Sequence, residues 1–236
     1  VIVNEFIKNL LEPSMAFAKK DVADVFAYAK KNGFEGSELM PWDFTFWSER
    51  YQEAEYSLNA EELKPYFQLE NCIDAVFGLA TRLYGITFKE LDNVPVYHEE
   101  VKVYEVLDKD GSHLALFYAD FFPRASKRGG AWMTGFRDQR IEKGVEYRPF
   151  ISIVCNFTKP TADAPSLITH DELVTFLHEF GHALHGILAQ GRYPSLTGTG
   201  VSRDFVELPS QIMENWAFEP EYLNSFAKHY KTGEPI

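Results

Sequence analysis

One five-residue pattern constrains this chain more than any other: His178-Glu179-Phe180-Gly181-His182, an H-E-x-x-H motif inside a proline-free stretch from 169 to 190. On a helix, residues four apart stand one turn along and about 40° apart, on the same face. Two imidazoles so placed can close on one metal ion. Zinc takes His nitrogen at roughly 2.0–2.1 Å, and a catalytic zinc site supplies three protein ligands and leaves one position open. Glu179 lies about 100° round from His178, beside the ion rather than on it, where a base for water belongs.

The helix carrying the motif is marked at its start. Thr169-His170-Asp171-Glu172 fits the S/T-x-x-E capping box, with Thr169 as cap and Glu172 returning to it. Gly186 or Gly191 offers a C-terminal stop. Leu173, Val174, Leu177, Phe180, Leu184, Ile187 and Leu188 cover the side away from the histidines, so the helix is expected to be buried with His178 and His182 facing a cleft. Gly181 lowers helix propensity by about 1 kcal/mol relative to alanine, which implies that another element packs closely there.

A third ligand is required. His185 lies seven residues beyond His178, about 10.5 Å of rise, too far for both to reach one ion. The pattern H-E-x-x-H-x-x-G-x-x-H fails at His185 and Leu188. A downstream carboxylate remains. Glu207 and Glu214, in D-F-V-E-L-P-S-Q-I-M-E-N-W, are seven apart and share a helical face. One of them can bind zinc while the other orients a ligand imidazole.

H-E-F-G-H-A-L-H followed by G-T-G-V-S-R-D-F-V-E-L-P-S-Q-I-M-E-N-W resembles the thimet oligopeptidase, neurolysin and peptidyl-dipeptidase family of zinc peptidases. Pro41-Trp42-Asp43, Lys64-Pro65-Tyr66-Phe67, Leu83-Tyr84-Gly85-Ile86, Gly129-Gly130-Ala131-Trp132-Met133 and Cys155-Asn156-Phe157-Thr158 match the family's pattern in order. The resemblance implies one Zn2+ per chain held by His178, His182 and Glu207, Glu179 as general base, Glu214 behind a ligand, and short peptides as substrates. The wording around Arg192-Tyr193-Pro194 and in 228–234 looks most like bacterial peptidyl-dipeptidases, which implies a cytoplasmic setting. A periplasmic one stays open, because the native N-terminus is expected to be missing. Family members are several hundred residues longer, with helices before this stretch. The tyrosines and histidine that grip substrate lie after it. The rest of the parent polypeptide is therefore an expected partner.

Composition agrees with a globular piece. At 236 residues and 45% hydrophobic, the chain can bury a sizeable core. A net charge of −12 argues against nucleic acid and anionic membrane surfaces, and no run of 18 apolar residues reads as a span. Two cysteines, Cys72 and Cys155, are too few for a disulfide framework and read as buried thiols.

Periodicity predicts helices over 4–32, broken near Pro13 and ended by Asn32-Gly33, and after Pro41-Trp42-Asp43 with Phe44, Phe46, Trp47 and Tyr51. A short helix is expected from Ser57 or Asn59 to near Phe67, and another from Leu69 to Tyr84 with Gly85 at its end. From Val94 the period changes to two. Residues 101–106 and 113–121 read as a hairpin turning at Asp108-Lys109-Asp110-Gly111, with 150–157 as a third strand. The expected fold is α+β and helix-dominated, a zincin-type core with a small antiparallel sheet and an active-site helix. Residues 1–92 read as a helical subdomain, and 93–236 as an incomplete zinc-binding catalytic core.

Secondary features carry alternatives. Arg124, Lys127 and Arg128 with Gly129-Gly130 read as a solvated basic loop or a contact for a peptide carboxylate. Thr197-Gly198-Thr199-Gly200 resembles a phosphate cradle only superficially. Three functional classes follow for the chain. It is a zinc peptidase core, a zinc-binding piece silent on its own, or a structural module without metal.

Overall fold

The computed structural model describes residues 1–56 and 60–236; the expected helix start at Ser57 or Asn59 lies outside the described residues. Two compact units emerge, residues 1–59 and 60–236.

The first unit is a helix pair, α1 (Ile2–Lys31) and α2 (Pro41–Tyr56). Aromatic rings join them: Tyr28 meets Trp47 and Tyr51 at centroid distances of 6.4 and 5.5 Å. Helix α1 continues past Pro13 instead of breaking there. Proline removes the N–H that would bond the carbonyl four residues back. That turn is exposed, so water can take the freed carbonyl. Asn32 caps α1 and Gly33 follows at φ +98°, as expected.

The second unit opens with α3 (Ala60–Leu63) and a single 3₁₀ turn, Lys64–Tyr66. Helix α4 spans Leu69–Tyr84 and ends on Gly85 at φ +77°, a left-handed cap that glycine adopts without strain. Seven strands follow: β1 (Thr87–Glu90), β2 (Lys102–Leu107), β3 (His113–Asp120), β4 (Trp132–Arg137), β5 (Arg140–Glu142), β6 (Val145–Tyr147) and β7 (Phe150–Val154). After them come α5 (His170–Ile187), α6 (Leu208–Glu214) and α7 (Pro220–Phe226). Among the described residues no helix is long and apolar enough to cross a membrane.

The main sheet has the order β1-β2-β3-β7-β4. It is mixed, where an antiparallel sheet was expected: β3 and β7 run parallel, Leu116 opposite Phe150 through Asp120 opposite Val154. Residues 121–149 carry the chain back to the start of the sheet, so β7 enters in the same sense as β3. Central parallel strands are covered on both faces and read as apolar runs. Phe150-Ile151-Ser152-Ile153-Val154 is one, with four of its five residues buried. The fold is α+β, with α4 and α5 packed on one face of the sheet around Phe77, Phe117, Phe176 and Phe180. Cys72 and Cys155 are buried free thiols in this core. A smaller cluster of Val101, Val103 and Tyr118 covers the opposite face.

The basic loop before β4 is solvated at Arg128, Gly129 and Gly130, but Arg124 and Lys127 are not free to take a peptide carboxylate. Both spend their charge on Asp120, at 2.9 Å each. The side chains of Asp120 and Lys127 are 1% and 2% exposed. Burial pushes the Asp120 carboxyl up, but hydrogen bonds from Arg124, Lys127 and Tyr97 outweigh it and hold it below the usual range. Burial pulls the Lys127 ammonium down, in opposition to the pairing. The carboxylate's direction is the one to follow, because several donors converge on a single acceptor group.

Candidate metal centre

Helix α5 begins as its sequence dictates. Thr169 Oγ1 accepts from the backbone N–H of Glu172 at 3.1 Å, and Glu172 Oε2 accepts from the N–H of Thr169 at 2.8 Å. The end differs from the glycine stop expected at 186 or 191. Leu188 is the cap, and the Arg148 guanidinium donates to the carbonyls of Ile187 and Ala189 at 2.8 and 3.2 Å. A cation at a helix C-terminus satisfies free carbonyls and suits the macrodipole. Gly186 instead lies inside the helix, where a Cβ would stand 2.8 Å from Ile151 Cδ1.

The element expected against Gly181 is α6. A Cβ at Gly181 would sit 2.5 Å from the carbonyl oxygen of Pro209 and 2.6 Å from Ser210 Cα. This close approach brings Glu207, the residue capping α6, over the histidine face of α5. Glu207 Oε2 lies 3.4 Å from His178 Nε2 and 3.1 Å from His182 Nε2. The donor atoms of His178, His182 and Glu207 all fall within 4.8 Å of one another. Ser210, fully buried one turn further on, donates from Oγ to Glu207 Oε2 at 2.8 Å. That bond, then the nearby imidazoles, holds the Glu207 carboxyl below its ordinary range. Ser210 was not singled out from sequence, although its i+3 spacing from Glu207 is the signal that would have found it.

Behind the cluster, His178 Nδ1 stands 2.6 Å from Glu214 Oε1. A carboxylate can only accept, so Nδ1 carries the proton and Nε2 presents its lone pair. His178 Nε2, His182 Nε2 and Glu207 Oε2 then face one point. As it stands, an Nε2–H of His182 can donate to Glu207 Oε2; with both imidazoles turning lone pairs inward, two nitrogens and one oxygen suit zinc. The residues present fit the metal.

Glu179 is 6% exposed and its Oε2 is buried without a hydrogen-bond partner among the described residues. Burial pushes its carboxyl above the ordinary range. It lines a cavity of about 360 Å³ together with Ala131, Trp132, Met133, His178, His182, Thr199, Val206 and Glu207. His185 is not part of this wall. Its ring lies 6.2 Å from that of Phe205, and it lines a separate groove of about 400 Å³ with Leu188 and Ile212. Ala131, Trp132 and Met133 were noticed in sequence only as part of a resemblance. Their place in the cavity follows from β4 being the sheet edge next to α5.

Residues 2–236 match the family model described as Peptidase family M3. The chain is 42% identical over 229 residues to a dipeptidyl carboxypeptidase of Escherichia coli (strain K12), covering 97% of this chain and 33% of that protein. It is 41% identical to oligopeptidase A of Salmonella typhimurium, over 99% of this chain and 35% of that protein. With a probable cytosolic oligopeptidase A of Arabidopsis thaliana it shares 44% identity, over 99% of this chain and 34% of that protein. The chain thus spans about a third of the length of these relatives. A match to the family model over nearly every residue, with the motif helix and Glu207 inside it, makes this chain a member of peptidase family M3.

Proposed function

We propose that the chain is part of the catalytic domain of a zinc-dependent peptidase that hydrolyses peptide bonds in short peptides. The observation that carries this reading is the convergence of His178, His182 and Glu207, with the buried Glu179 carboxylate on the same cavity wall. His178, His182 and Glu207 would hold one zinc ion in a zincin-type core, and all three lie within residues 93–236. When bound, zinc supplies Lewis acidity that polarises the scissile carbonyl and acidifies water. Glu179 takes a proton from the attacking water as its oxygen bonds to the carbonyl carbon. The same carboxyl delivers that proton to the departing amine nitrogen as the C–N bond breaks. Glu214 fixes the tautomer and ring angle of His178. The edge of β4, beside the cavity, offers unpaired backbone groups to an extended peptide.

A second reading is a zinc-binding piece that is silent by itself. The half-exposed Glu207 side chain, at 48%, and the chain's span of a third of its relatives favour it. Metal analysis and turnover of a quenched short peptide separate the two, with Glu179→Gln as the blank. Stoichiometric zinc with cleavage above the blank supports the peptidase. Zinc without cleavage leaves the silent piece, and no zinc overturns both.

A further inference from the structure

Where the edge of β4 stands depends on the connection before it, residues 121–131, which leaves the end of β3 and doubles back. Two anchors hold that connection. One is the buried Lys127, which donates to Asp120 Oδ1 at 2.9 Å and to the carbonyls of Asp120 and Phe122 at 3.0 and 2.8 Å. The other is Asn156.

The β4–β7 ladder ends with Trp132 opposite Val154. Carrying that antiparallel register two residues further sets position 130 opposite position 156. Beyond Val154 the backbone turns its donors to the β3 side: Cys155 N–H donates to the Asp120 carbonyl and Phe157 N–H to that of Phe121, both at 2.8 Å. The Asn156 side chain takes over on the β4 side. Its Nδ2 donates to the Gly130 carbonyl at 2.7 Å and to the Arg128 carbonyl at 3.0 Å. Two carbonyl partners require the amide nitrogen to face them. Gly130 holds φ +88°, where L side chains are strained. The chain therefore reverses under the control of one carboxamide, immediately before Ala131, Trp132 and Met133 enter the cavity wall.

We propose that Asn156 is a positioning residue for peptide: by clamping the carbonyls of Arg128 and Gly130, it sets the free edge of β4 against His178, Glu179 and His182. The proposal rests on the peptidase reading above. Asn156 touches none of the three converging donors, so its effect falls on the extended ligand rather than on the metal. An isosteric aspartate would turn an oxygen on two carbonyls and push the connection away, whereas alanine would leave the carbonyls to water.

The test uses the full polypeptide that carries this sequence, zinc-loaded. Binding of an uncleavable reduced-amide peptide is measured by calorimetry beside acetohydroxamate, a metal-directed probe too small to reach the strand. Asn156→Asp should weaken the peptide by at least about ten-fold, the loss expected when two hydrogen bonds go, and Asn156→Ala by less. Zinc stoichiometry and acetohydroxamate affinity should stay at the wild-type level in both. If either variant is too unstable to measure, the other carries the comparison, with thermal melting as the control. Unchanged peptide affinity, or equal losses for peptide and acetohydroxamate, overturns the proposal. A wild-type protein that takes up zinc but no peptide removes the peptidase reading, and the proposal with it.

Discussion

His178 Nδ1 and Glu214 Oε1 stand 2.6 Å apart, joining two helices through a single proton. The carboxylate comes from the last residue of α6 and the imidazole from the middle of α5. Because the proton sits on Nδ1, the nitrogen facing Glu207 is free to donate. Glu214 would therefore act, through His178, on a metal held there.

Metal affinity should rank the variants accordingly. Glu207→Ala and His178→Ala should each lose most zinc, and Glu179→Gln should keep it. Glu214→Ala should fall between, weakened by about 10–100-fold, as is typical when a partner behind a ligand is removed. Competition with a calibrated chelator reads all four. Stoichiometric, tight zinc in both ligand variants would place the site elsewhere.

Zinc should also stabilise the fold, since its donors come from two separate helices. A ligand at 100 times its Kd raises stability by about 2.7 kcal/mol. The melting temperature should rise with added zinc and return to the starting value with chelator. Glu207→Ala should abolish the dependence. An equal rise in wild type and variant would mean that zinc acts at another place.

Gly181→Ala and Gly78→Ala should have opposite signs. At Gly181 the added Cβ meets Pro209 O and Ser210 Cα, both backbone atoms that cannot swing aside. Overpacking of this kind costs about 1–3 kcal/mol. It should also displace Glu207, so zinc affinity falls with stability. At Gly78, in the middle of α4, a Cβ meets no atom within 4 Å among the described residues. There alanine should stabilise by about 0.5–1 kcal/mol. Denaturant melts of the two variants decide both signs.

Asp120→Asn should be severe and dependent on pH. Breaking a buried pair by removing one partner costs about 3–5 kcal/mol. The Asp120 carboxyl is held below its ordinary range in the fold. Its stabilisation is therefore complete above the unfolded carboxyl's pKa, about 3.9. It is lost as pH falls through the lower folded value. The gap between wild type and variant should stay constant from pH 7 to about 5 and narrow below about 4. A gap that grows on acidification would contradict the assignment.

The 236-residue chain alone should take up zinc yet cleave a quenched short peptide orders of magnitude more slowly than the full polypeptide. One missing oxyanion donor costs about 10²–10³ in rate, and loss of substrate positioning adds to it. Equal turnover would mean that the machinery is complete within these residues.

Local chemistry was legible in the sequence where one side chain decides the backbone. Thr169 with Glu172 announces a helix start, and Gly85 a helix end. Gly181 tells of a close neighbour without saying which. That His178 and His182 share a face was legible because helical spacing converts sequence distance into direction. Spacing left Glu207 and Glu214 interchangeable, and only a family resemblance told them apart. What failed depended on partners remote in the chain. The apolar run 150–154 signals a buried strand, but it does not name 113–120 as its parallel partner. Arg148 reaches the end of α5 from 39 residues away. Lys127 looked solvated because its counter-ion, Asp120, read as the end of a strand. Pro13 was expected to break α1, but its cost depends on whether water can reach the freed carbonyl, and a pattern of residue types does not say.

The strand order β1-β2-β3-β7-β4 also fixes a sequence of events. β4 is synthesised before β7, yet β7 is its pairing partner in the sheet. While β1, β2 and β3 can zip together as they emerge, β4 must wait with its backbone unpaired until β7 slots between it and β3. Unpaired strand edges are where growing chains misassociate. The border that faces the cavity lined by Glu179 is thus the last part of the sheet to close. The motif helix follows directly behind the strand that closes it.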